Sequence, residues 1–319
     1  MKITAVTGTF VNSGWRKNFL FVKVETDEGI SGWGECYNVG PDRAIGPTLD
    51  YIFELVKGVD PRRIEFLMMK LFQQMRFPPG ALGLSAISGL DHALWDITGK
   101  CYGVPVYKLL GGPTRDRVRV YGEINEETGV NAMKVGPQSS RRAFKYVETP
   151  MFVDEVADRF KALREQHGAS VDIGVDFHGA VQPPTALLLM KALEPYQPWF
   201  YEEVVQALNV DVMAELAQKT HIPLATGERI FTKWGFKEIL EKRAATILQP
   251  DVCYAGGITE LKIIAAKKER GASQLLETHL ERHTGTSRLF FEHHPERASR
   301  QSCSVLVRMF FDVMCQFKD

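Results

Sequence analysis

The sequence has no excess of charge of either sign. Its 39 Lys and Arg residues balance 39 Asp and Glu residues, so the formal net charge at pH 7 is zero. A neutral chain lacks the bulk positive potential that draws proteins to nucleic acids or anionic membranes, so we expect neither as a partner. Any ligand must therefore be recognised at a specific site.

Long apolar segments and paired cysteines are also missing. No segment approaches the roughly 18 apolar residues that a membrane span needs, and the N-terminal MKITAVTGTF lacks the apolar core of a secretory signal. These absences predict a cytoplasmic protein. The five cysteines contain no C-x-x-C pair, which indicates reduced structural thiols and argues against a disulfide framework or a thiolate zinc site.

The first hundred residues are typical of a small α+β unit. The stretch FLFVKVETDEGISGWGE contains two β-rich runs around Asp27-Glu28-Gly29, a turn signal that predicts a hairpin. Apolar residues at three- and four-residue spacings predict helices between residues 45 and 74, with a break at Asp60-Pro61. A further helix is predicted over SAISGLDHALWDITGK, where Asp91 and Asp96 are interpreted as structural.

After LLGGPTRDR the pattern changes to short β-like runs that alternate with helical ones. Parallel βαβ units have this rhythm, so we predict an α/β sheet or barrel. The predicted strands are VRVYGEI (118–124), NAMKV (131–135), VDIGVDF (171–177), WFYEEV (199–204), PLATGE (223–228) and TILQPD (246–251).

Three acids stand at the ends of consecutive predicted strands. Asp176, Glu202 and Glu228 lie at or near the ends of the third, fourth and fifth strands, each 26 residues from the next. Consecutive strand ends are neighbours on one face of a parallel barrel, so the carboxylates are expected to converge there. Mg²⁺ accepts oxygen ligands and would neutralise their repulsion. One such acid alone would be interpreted as a solvated loop residue, but three at equal spacing favour a metal site.

His178 follows Asp176 by two residues. Side chains two apart lie on the same face of a strand, so we expect His178 to lie beside Asp176 and to face whatever the metal holds. An imidazole in that position suits a general acid or base. The alternative is a histidine that only caps the strand by hydrogen bonding.

The strand-end motifs together resemble a known family. VDFHG, YEEV, TGER and QPD…AGGITE, in this order and spacing, resemble the strand ends of the enolase superfamily, in its mandelate racemase and muconate lactonizing enzyme branch. The resemblance covers most of residues 1–268. It implies an enolase-like α+β capping domain at 1–115 and a modified (β/α) TIM-type barrel at 116–268, followed by an atypical tail at 269–319. By the same resemblance we expect a homo-oligomer.

The resemblance also implies a reaction and a role for each acid. The three acids would bind Mg²⁺, which would hold the carboxylate of a sugar acid, with D-galactonate as the expected substrate. A divalent cation suits this chemistry because it stabilises the dianion formed when a proton beside a carboxylate is removed. His178 would assist departure of the 3-hydroxyl. Asp251 would pair with a strand-seven histidine that takes the α-proton.

Two cationic residues near these motifs are further candidates, Lys134 by the same resemblance and Arg229 by its position in the sequence. Lys134, at the end of the second predicted barrel strand, is expected to help hold the substrate carboxylate; the alternative is an exposed surface lysine. Arg229, directly after Glu228, is expected to face the site as a substrate-binding residue; the alternative is a structural salt bridge.

Two features depart from the family pattern. Only about seven residues separate the first two predicted barrel strands, whereas a parallel crossover with its helix needs at least about 10–12. After Lys268 the sequence matches no strand-seven motif, and the tail histidines His279, His283, His293 and His294 lack the expected neighbours. We therefore predict an incomplete barrel, without a regular first crossover helix or recognisable strands seven and eight. The clustered Arg and His of the tail fit a shifted reading frame or an alternative exon.

Two functions from different classes remain open at this point. The first is a Mg²⁺-dependent acid-sugar dehydratase, with another aldonate or a racemisation as variants of the same fold. The second is a catalytically impaired or inactive relative that keeps only the metal site. The strand-seven histidine base distinguishes the two functions, because loss of a general base costs on the order of 10²–10⁴-fold or more in rate.

Overall fold

The computed structural model describes residues 1–12, 18–37, 42–75, 78–113, 119–137, 150–269 and 274–275. Two compact units make up this part of the chain. The first contains Met1–Val118 and Asp251–Ile264, and the second contains Arg119–Pro250 and resumes at Ala265. Among the described residues, no helix is long and apolar enough to cross a membrane.

Three antiparallel strands form the sheet of the first unit. They follow the order β1 (Ile3–Asn12), β2 (Asn18–Thr26) and β3 (Ser31–Cys36). Alternate residues of β2 are buried, as the two-residue period of a strand requires. The hairpin predicted at Asp27-Glu28-Gly29 is confirmed: Gly29 has a φ of 78°, and its N–H donates to Thr26 O at 3.2 Å.

Helices follow the three strands of the first unit. They are α1 (Ile45–Val56), α2 (Ile64–Gln74), α3 (Gly80–Tyr102) and α4 (Val106–Leu109). The break predicted at Asp60-Pro61 is confirmed, because α1 ends before it and α2 begins after it. α3 packs closely on β3 at Gly34, where an added Cβ would collide with the carbonyl group of Gly89.

Asp91 and Asp96 of α3 are structural, as predicted. The buried Asp91 carboxylate accepts hydrogen bonds from Thr259 N, at 3.0 Å, and from Thr259 Oγ1, close to the N-terminus of the helix Gly257–Glu269. A carboxylate there binds backbone N–H groups that have no partner within the helix and complements the helix dipole. Asp96 accepts a hydrogen bond from Trp33 N at 2.9 Å, which ties α3 to β3.

His92 is a buried, neutral histidine that connects two segments of the first unit. Its Nδ1 accepts a hydrogen bond from Glu35 N at 3.4 Å, and its Nε2 lies 3.1 Å from Val252 O. Since a carbonyl oxygen only accepts, Nε2 carries the proton. Burial lowers the pKa of His92 to about 4, because the charged imidazolium is disfavoured away from water.

We expect the protein to lose stability on acidification in a way that the variant His92→Gln does not. The unfolded chain takes up the proton first, so the stability that neutral His92 provides is complete above about pH 6.5 and is lost as the pH falls towards 4. The pKa change from 6.5 to about 4 corresponds to about 3 kcal/mol.

Urea unfolding at pH 7 and pH 4.5 measures this loss. His221→Gln removes an exposed histidine and is the matched control, with a pH dependence close to that of the unmodified chain. Equal pH dependence in the unmodified chain and His92→Gln would contradict the assignment of a neutral His92.

Six parallel strands form the sheet of the second unit, in sequential order. They are β4 (Ala132–Val135), β5 (Asp172–Asp176), β6 (Tyr201–Glu202), β7 (Leu224–Thr226), β8 (Ile247–Leu248) and β9 (Gln274–Leu275). Helices α5 (Pro150–His167), α6 (Pro183–Leu193), α7 (Val210–Ala217), α8 (Thr232–Glu241) and α9 (Gly257–Glu269) follow the first five strands in turn. This alternation confirms the predicted fold class, an α+β capping domain and a (β/α) barrel.

The prediction of a strand at 118–124 is wrong. In the described residues 119–124 no strand forms, and the chain makes one backbone hydrogen bond to β4, from Gly122 N to Ala132 O at 2.9 Å. It then turns through residues 126–129, so that Asn125 and Val130 pair as an isolated antiparallel bridge. A tight turn fits this short connection, whereas a crossover helix does not.

A second correction concerns the segment after Lys268, where the sequence showed no recognisable strand. Gln274 and Leu275 pair in parallel with Ile247 and Leu248 of β8, which places a strand directly after α9. Two residues are too few to show a periodicity, so no sequence pattern indicates β9. The tail histidines, His279, His283, His293 and His294, lie outside the described residues.

Candidate active site

Two buried acids end adjacent strands of the second unit. Asp176 is the last residue of β5, Glu202 is the last residue of β6, and the two are partners in the parallel register. Their side chains are 1% and 0% exposed. Two carboxylates removed from water at neighbouring strand ends require a counter-charge.

Lys134 of β4 supplies positive charge to both acids. Its Nζ lies 2.9 Å from Asp176 Oδ2 and 3.0 Å from each carboxylate oxygen of Glu202. It also lies 5.8 Å from the ring centre of Tyr121, a neighbour that the sequence analysis did not single out. The Lys134 side chain is only 13% exposed, so the alternative of a surface lysine is wrong. Its role in holding a substrate stays a prediction.

These charges change one another's pKa. Burial lowers the pKa of Lys134, but Glu202 and Asp176 outweigh burial and hold that pKa above its ordinary value. Burial, followed by the charge of Asp176, raises the pKa of Glu202 to about 8, against the effect of Lys134. The raised pKa of Lys134 favours a charged ammonium, whereas the raised pKa of Glu202 favours a neutral carboxyl group. Lys134 is the charged member of the pair, because both Glu202 oxygens accept hydrogen bonds from its ammonium.

Glu228 lies two residues beyond the end of β7. Its charge contributes to the raised pKa of Glu202, so the third predicted acid belongs to the same electrostatic site. In the part of the chain that the structure describes, however, no three His, Cys, Asp or Glu side chains are arranged as a metal cage. The structure therefore groups Asp176 and Glu202 around Lys134, with Glu228 as a charged neighbour.

The same strand ends carry further buried oxygen atoms. Thr226 ends β7 and Gln249 follows β8, and within the described ranges no hydrogen-bond partner reaches Thr226 Oγ1 or Gln249 Oε1. The amide nitrogen of Gln249 donates to Glu202 Oε2 at 3.2 Å. Carboxylate and neutral oxygen atoms are the donors that a hard divalent cation accepts, so the residues present fit Mg²⁺. A cation bound by both carboxylates would replace Lys134 as their counter-charge.

His178 lies beside Asp176, but the reason given by the strand pattern is wrong. β5 ends at Asp176, and His178 has a left-handed φ of 51°. Its N–H donates to Asp176 Oδ1 at 2.8 Å, and its Nδ1 lies 3.1 Å from the same oxygen. A tight turn therefore produces the proximity that the two-residue period predicted. With 47% of the side chain exposed, the imidazole can meet a ligand.

Glu203 is a buried site residue that the sequence analysis missed. Its carboxylate binds the Arg229 guanidinium twice, with Nε at 2.9 Å from Oε1 and Nη2 at 2.6 Å from Oε2. Arg229 thus makes a structural salt bridge, which the sequence analysis gave as the alternative to substrate binding. The doubled acid of YEEV was the usable signal, because a second buried carboxylate needs a cation of its own.

Asp251 belongs to the first unit and is half-buried there. Its Oδ1 accepts a hydrogen bond from Cys253 N at 2.7 Å. Burial, with a further contribution from the charge of Asp251, raises the pKa of Glu35 to about 8. The predicted role of Asp251 as the partner of a catalytic histidine stays a prediction.

Two family descriptions match the chain along most of its length. The mandelate racemase/muconate lactonizing enzyme N-terminal domain matches residues 7–111, and the enolase C-terminal domain-like family matches residues 118–270. The chain belongs to the mandelate racemase/muconate lactonizing enzyme family. The resemblance drawn from the strand-end motifs is therefore confirmed.

Three relatives share the same sequence identity with this chain. D-galactonate dehydratase of Ralstonia pickettii strain 12J is 40% identical over 280 residues, which cover 84% of this chain and 72% of the relative. D-galactonate dehydratase of Variovorax paradoxus strain S110 is 40% identical over 283 residues, with the same coverage. A crystal structure of an enolase from Agrobacterium radiobacter, described as a candidate galactarate dehydratase and bound to Na and L-malate, is 40% identical. Its TM-score is 0.82, and the match covers 88% of this chain and 74% of that chain.

Proposed function

We propose that this chain is a Mg²⁺-dependent dehydratase that converts D-galactonate to 2-keto-3-deoxygalactonate. The observation that carries the proposal is the pair of buried carboxylates, Asp176 and Glu202, at adjacent strand ends beside the accessible imidazole of His178. Relatives named D-galactonate dehydratase at 40% identity support the choice of substrate.

The chain is an enzyme of the carbon–oxygen hydro-lyase class, as its family and its relatives indicate. Galactarate is a second candidate substrate, because the Agrobacterium structure described as a candidate galactarate dehydratase is equally similar in sequence. Both compounds are sugar acids with a hydroxyl group at C3. They differ at the far end, where galactarate carries a second carboxylate.

Asp176, Glu202 and Glu228 are proposed to hold Mg²⁺. When bound, the ion supplies stabilisation of the negative charge that develops on the substrate carboxylate. Burial of Asp176 and Glu202 strengthens the electrostatic interactions of these residues, because little water competes for them. Lys134, once replaced as their counter-charge, is proposed to contact the substrate carboxylate.

The reaction transfers the C2 proton to a base and releases the C3 hydroxyl as water with a proton from an acid, and the resulting enol becomes the 2-keto acid. His178 is proposed to give the proton to the departing hydroxyl. Its Nδ1 contacts Asp176, so Nε2 is the nitrogen that would meet the substrate. Asp251 is proposed to pair with the histidine that takes the C2 proton, as the family resemblance implies.

The purified chain is expected to form 2-keto-3-deoxy product from D-galactonate with Mg²⁺ and not with EDTA. Glu228→Gln is expected to lower turnover at least about 100-fold, because it removes one of the charges that bind the ion and support the developing negative charge. Product formation from D-galactonate and from galactarate, followed in parallel, measures the effect and compares the two substrates.

Glu215→Gln, at an exposed acid of α7, is the matched control and retains full turnover. A folded chain that binds Mg²⁺ and turns over neither sugar acid would contradict the proposal and favour an inactive relative. Turnover that survives both EDTA and Glu228→Gln would show that the metal assignment is wrong.

A further inference from the structure

The loop that carries His178 is tied down by the loop after β6. His178 and Gly179 both have left-handed backbone conformations, with φ of 51° and 57°, and a residue other than glycine rarely adopts one without support. Gly179 N donates to Glu203 O at 2.7 Å, and Gln206 Nε2 donates to Gly179 O at 2.9 Å. Both backbone polar groups of Gly179 are therefore bound.

Arg229 connects the same loop to the segment after β7. Its Nη2 donates to His178 O at 2.9 Å, in addition to the two contacts with Glu203. Three N–H groups of the guanidinium are thus used within the protein. A Cβ added at Gly179 would lie 2.7 Å from Arg229 Nη2, so glycine leaves room for the guanidinium against the backbone.

Glu203 fixes Arg229 in this position. The Glu203 side chain is 0% exposed, and a buried carboxylate that loses its cation is strongly destabilising. Arg229 therefore cannot turn towards a ligand without leaving Glu203 unpaired. This cost argues against direct binding of substrate by Arg229.

We infer that Arg229 is a positioning residue: anchored by Glu203, it holds His178 in the left-handed turn that places the imidazole against Asp176. The inference rests on the proposed dehydratase function, in which His178 is the acid. Without the anchor, the turn samples other conformations, and the imidazole is less often in the geometry that proton transfer requires. Arg229 then acts on the reaction through His178 and not through the substrate.

The variant Arg229→Lys tests the inference by turnover. Lysine keeps the charge but lacks the planar fork that binds Glu203 and His178 O together. We expect kcat to fall about 10–100-fold, with KM for D-galactonate and the affinity for Mg²⁺ within about twofold of their original values. In the His178→Asn background the same substitution causes no further fall in kcat, because the residue through which it acts is gone.

Arg62→Lys is the matched control, since Arg62 forms an exposed fork of similar geometry with Asp60 in the first unit. This variant leaves kcat unchanged. A raised KM at constant kcat for Arg229→Lys would overturn the inference and indicate substrate binding. A full additional loss in the His178→Asn background would also overturn it.

A second readout needs no turnover. Imidazole ¹H–¹⁵N spectra, with the His178 signals identified by their absence in His178→Asn, report the contact between His178 and Asp176. We expect Arg229→Lys to shift or broaden the His178 signals and to leave those of His221 in place. Glu203→Gln, which keeps the shape of the anchor, is a second variant with the same expected shift.

Unchanged His178 signals in both variants would overturn the inference, whether or not the chain turns over a sugar acid. If the unmodified chain has no dehydratase activity, the proposed function fails, and the spectra alone decide the positioning role. Failure of the proposed function and failure of the inference are thus distinguishable.

Discussion

Lys134→Met is expected to lower the free energy of unfolding of the metal-free protein by about 3–5 kcal/mol. The substitution keeps a long apolar side chain but removes the ammonium that lies 2.9 Å from Asp176 and 3.0 Å from Glu202. Two buried carboxylates at adjacent strand ends are then left without this counter-charge. Urea denaturation at pH 7 in the presence of EDTA measures the loss.

Two further variants isolate the ion pair from the loss of a lysine in general. Lys161→Met removes an exposed lysine that lies 4.0 Å from Glu165, and its cost is less than about 1 kcal/mol. Adding Glu202→Gln to Lys134→Met recovers part of the stability, because only one buried charge remains. Lys134→Met that is as stable as Lys161→Met would contradict the role of Lys134 as the counter-charge.

Mg²⁺ is expected to stabilise Lys134→Met more than the unmodified chain. The cation and the Lys134 ammonium neutralise the same two carboxylates, so removing the ammonium removes a competitor for them. The shift of the melting temperature between EDTA and saturating Mg²⁺ measures the difference. Equal shifts in both proteins would show that the cation binds elsewhere.

His178→Asn is expected to lower kcat for D-galactonate about 10²–10⁴-fold, the range typical of a lost general acid. Asparagine can still accept and donate hydrogen bonds, but it cannot transfer a proton at neutral pH. Because the His178 side chain is 47% exposed, little packing is lost, and both the melting temperature and the affinity for Mg²⁺ are expected to stay close to their original values.

The control for this variant is His221→Asn, at a 77% exposed histidine that pairs with Glu194. It is expected to have full activity. If His178→Asn retained more than about a tenth of the original kcat, a contribution of 10²-fold or more from general acid catalysis would be excluded, and His178 would be a capping residue.

Local patterns in the sequence were sufficient for the repeating features of the fold. The hairpin after Thr26, the break at Asp60-Pro61 and the alternation of strands and helices all depend on residues close together in the chain. The adjacency of Asp176 and Glu202 also followed from local pattern, because parallel strands in sequential order place their ends side by side.

Contacts between distant residues could not be predicted in this way. Lys134 and Glu202 are 68 residues apart, and Arg229 and Glu203 are 26 apart. A periodicity shows which face of an element is buried, but it does not show which buried charge meets which cation. The left-handed turn at His178 was missed for a related reason: its support comes from Arg229, and although histidine is enriched among non-glycine residues with a positive φ, few histidines adopt one.

The exposed turn at residues 126–129 has a practical consequence for protein engineering. It joins the short bridge between Asn125 and Val130, and the next residues lead directly into β4 and Lys134. Exposed loop tips with few packing contacts tolerate added sequence. The turn is therefore an insertion site for a designed helical hairpin. The register of β4 against β5 would stay unchanged.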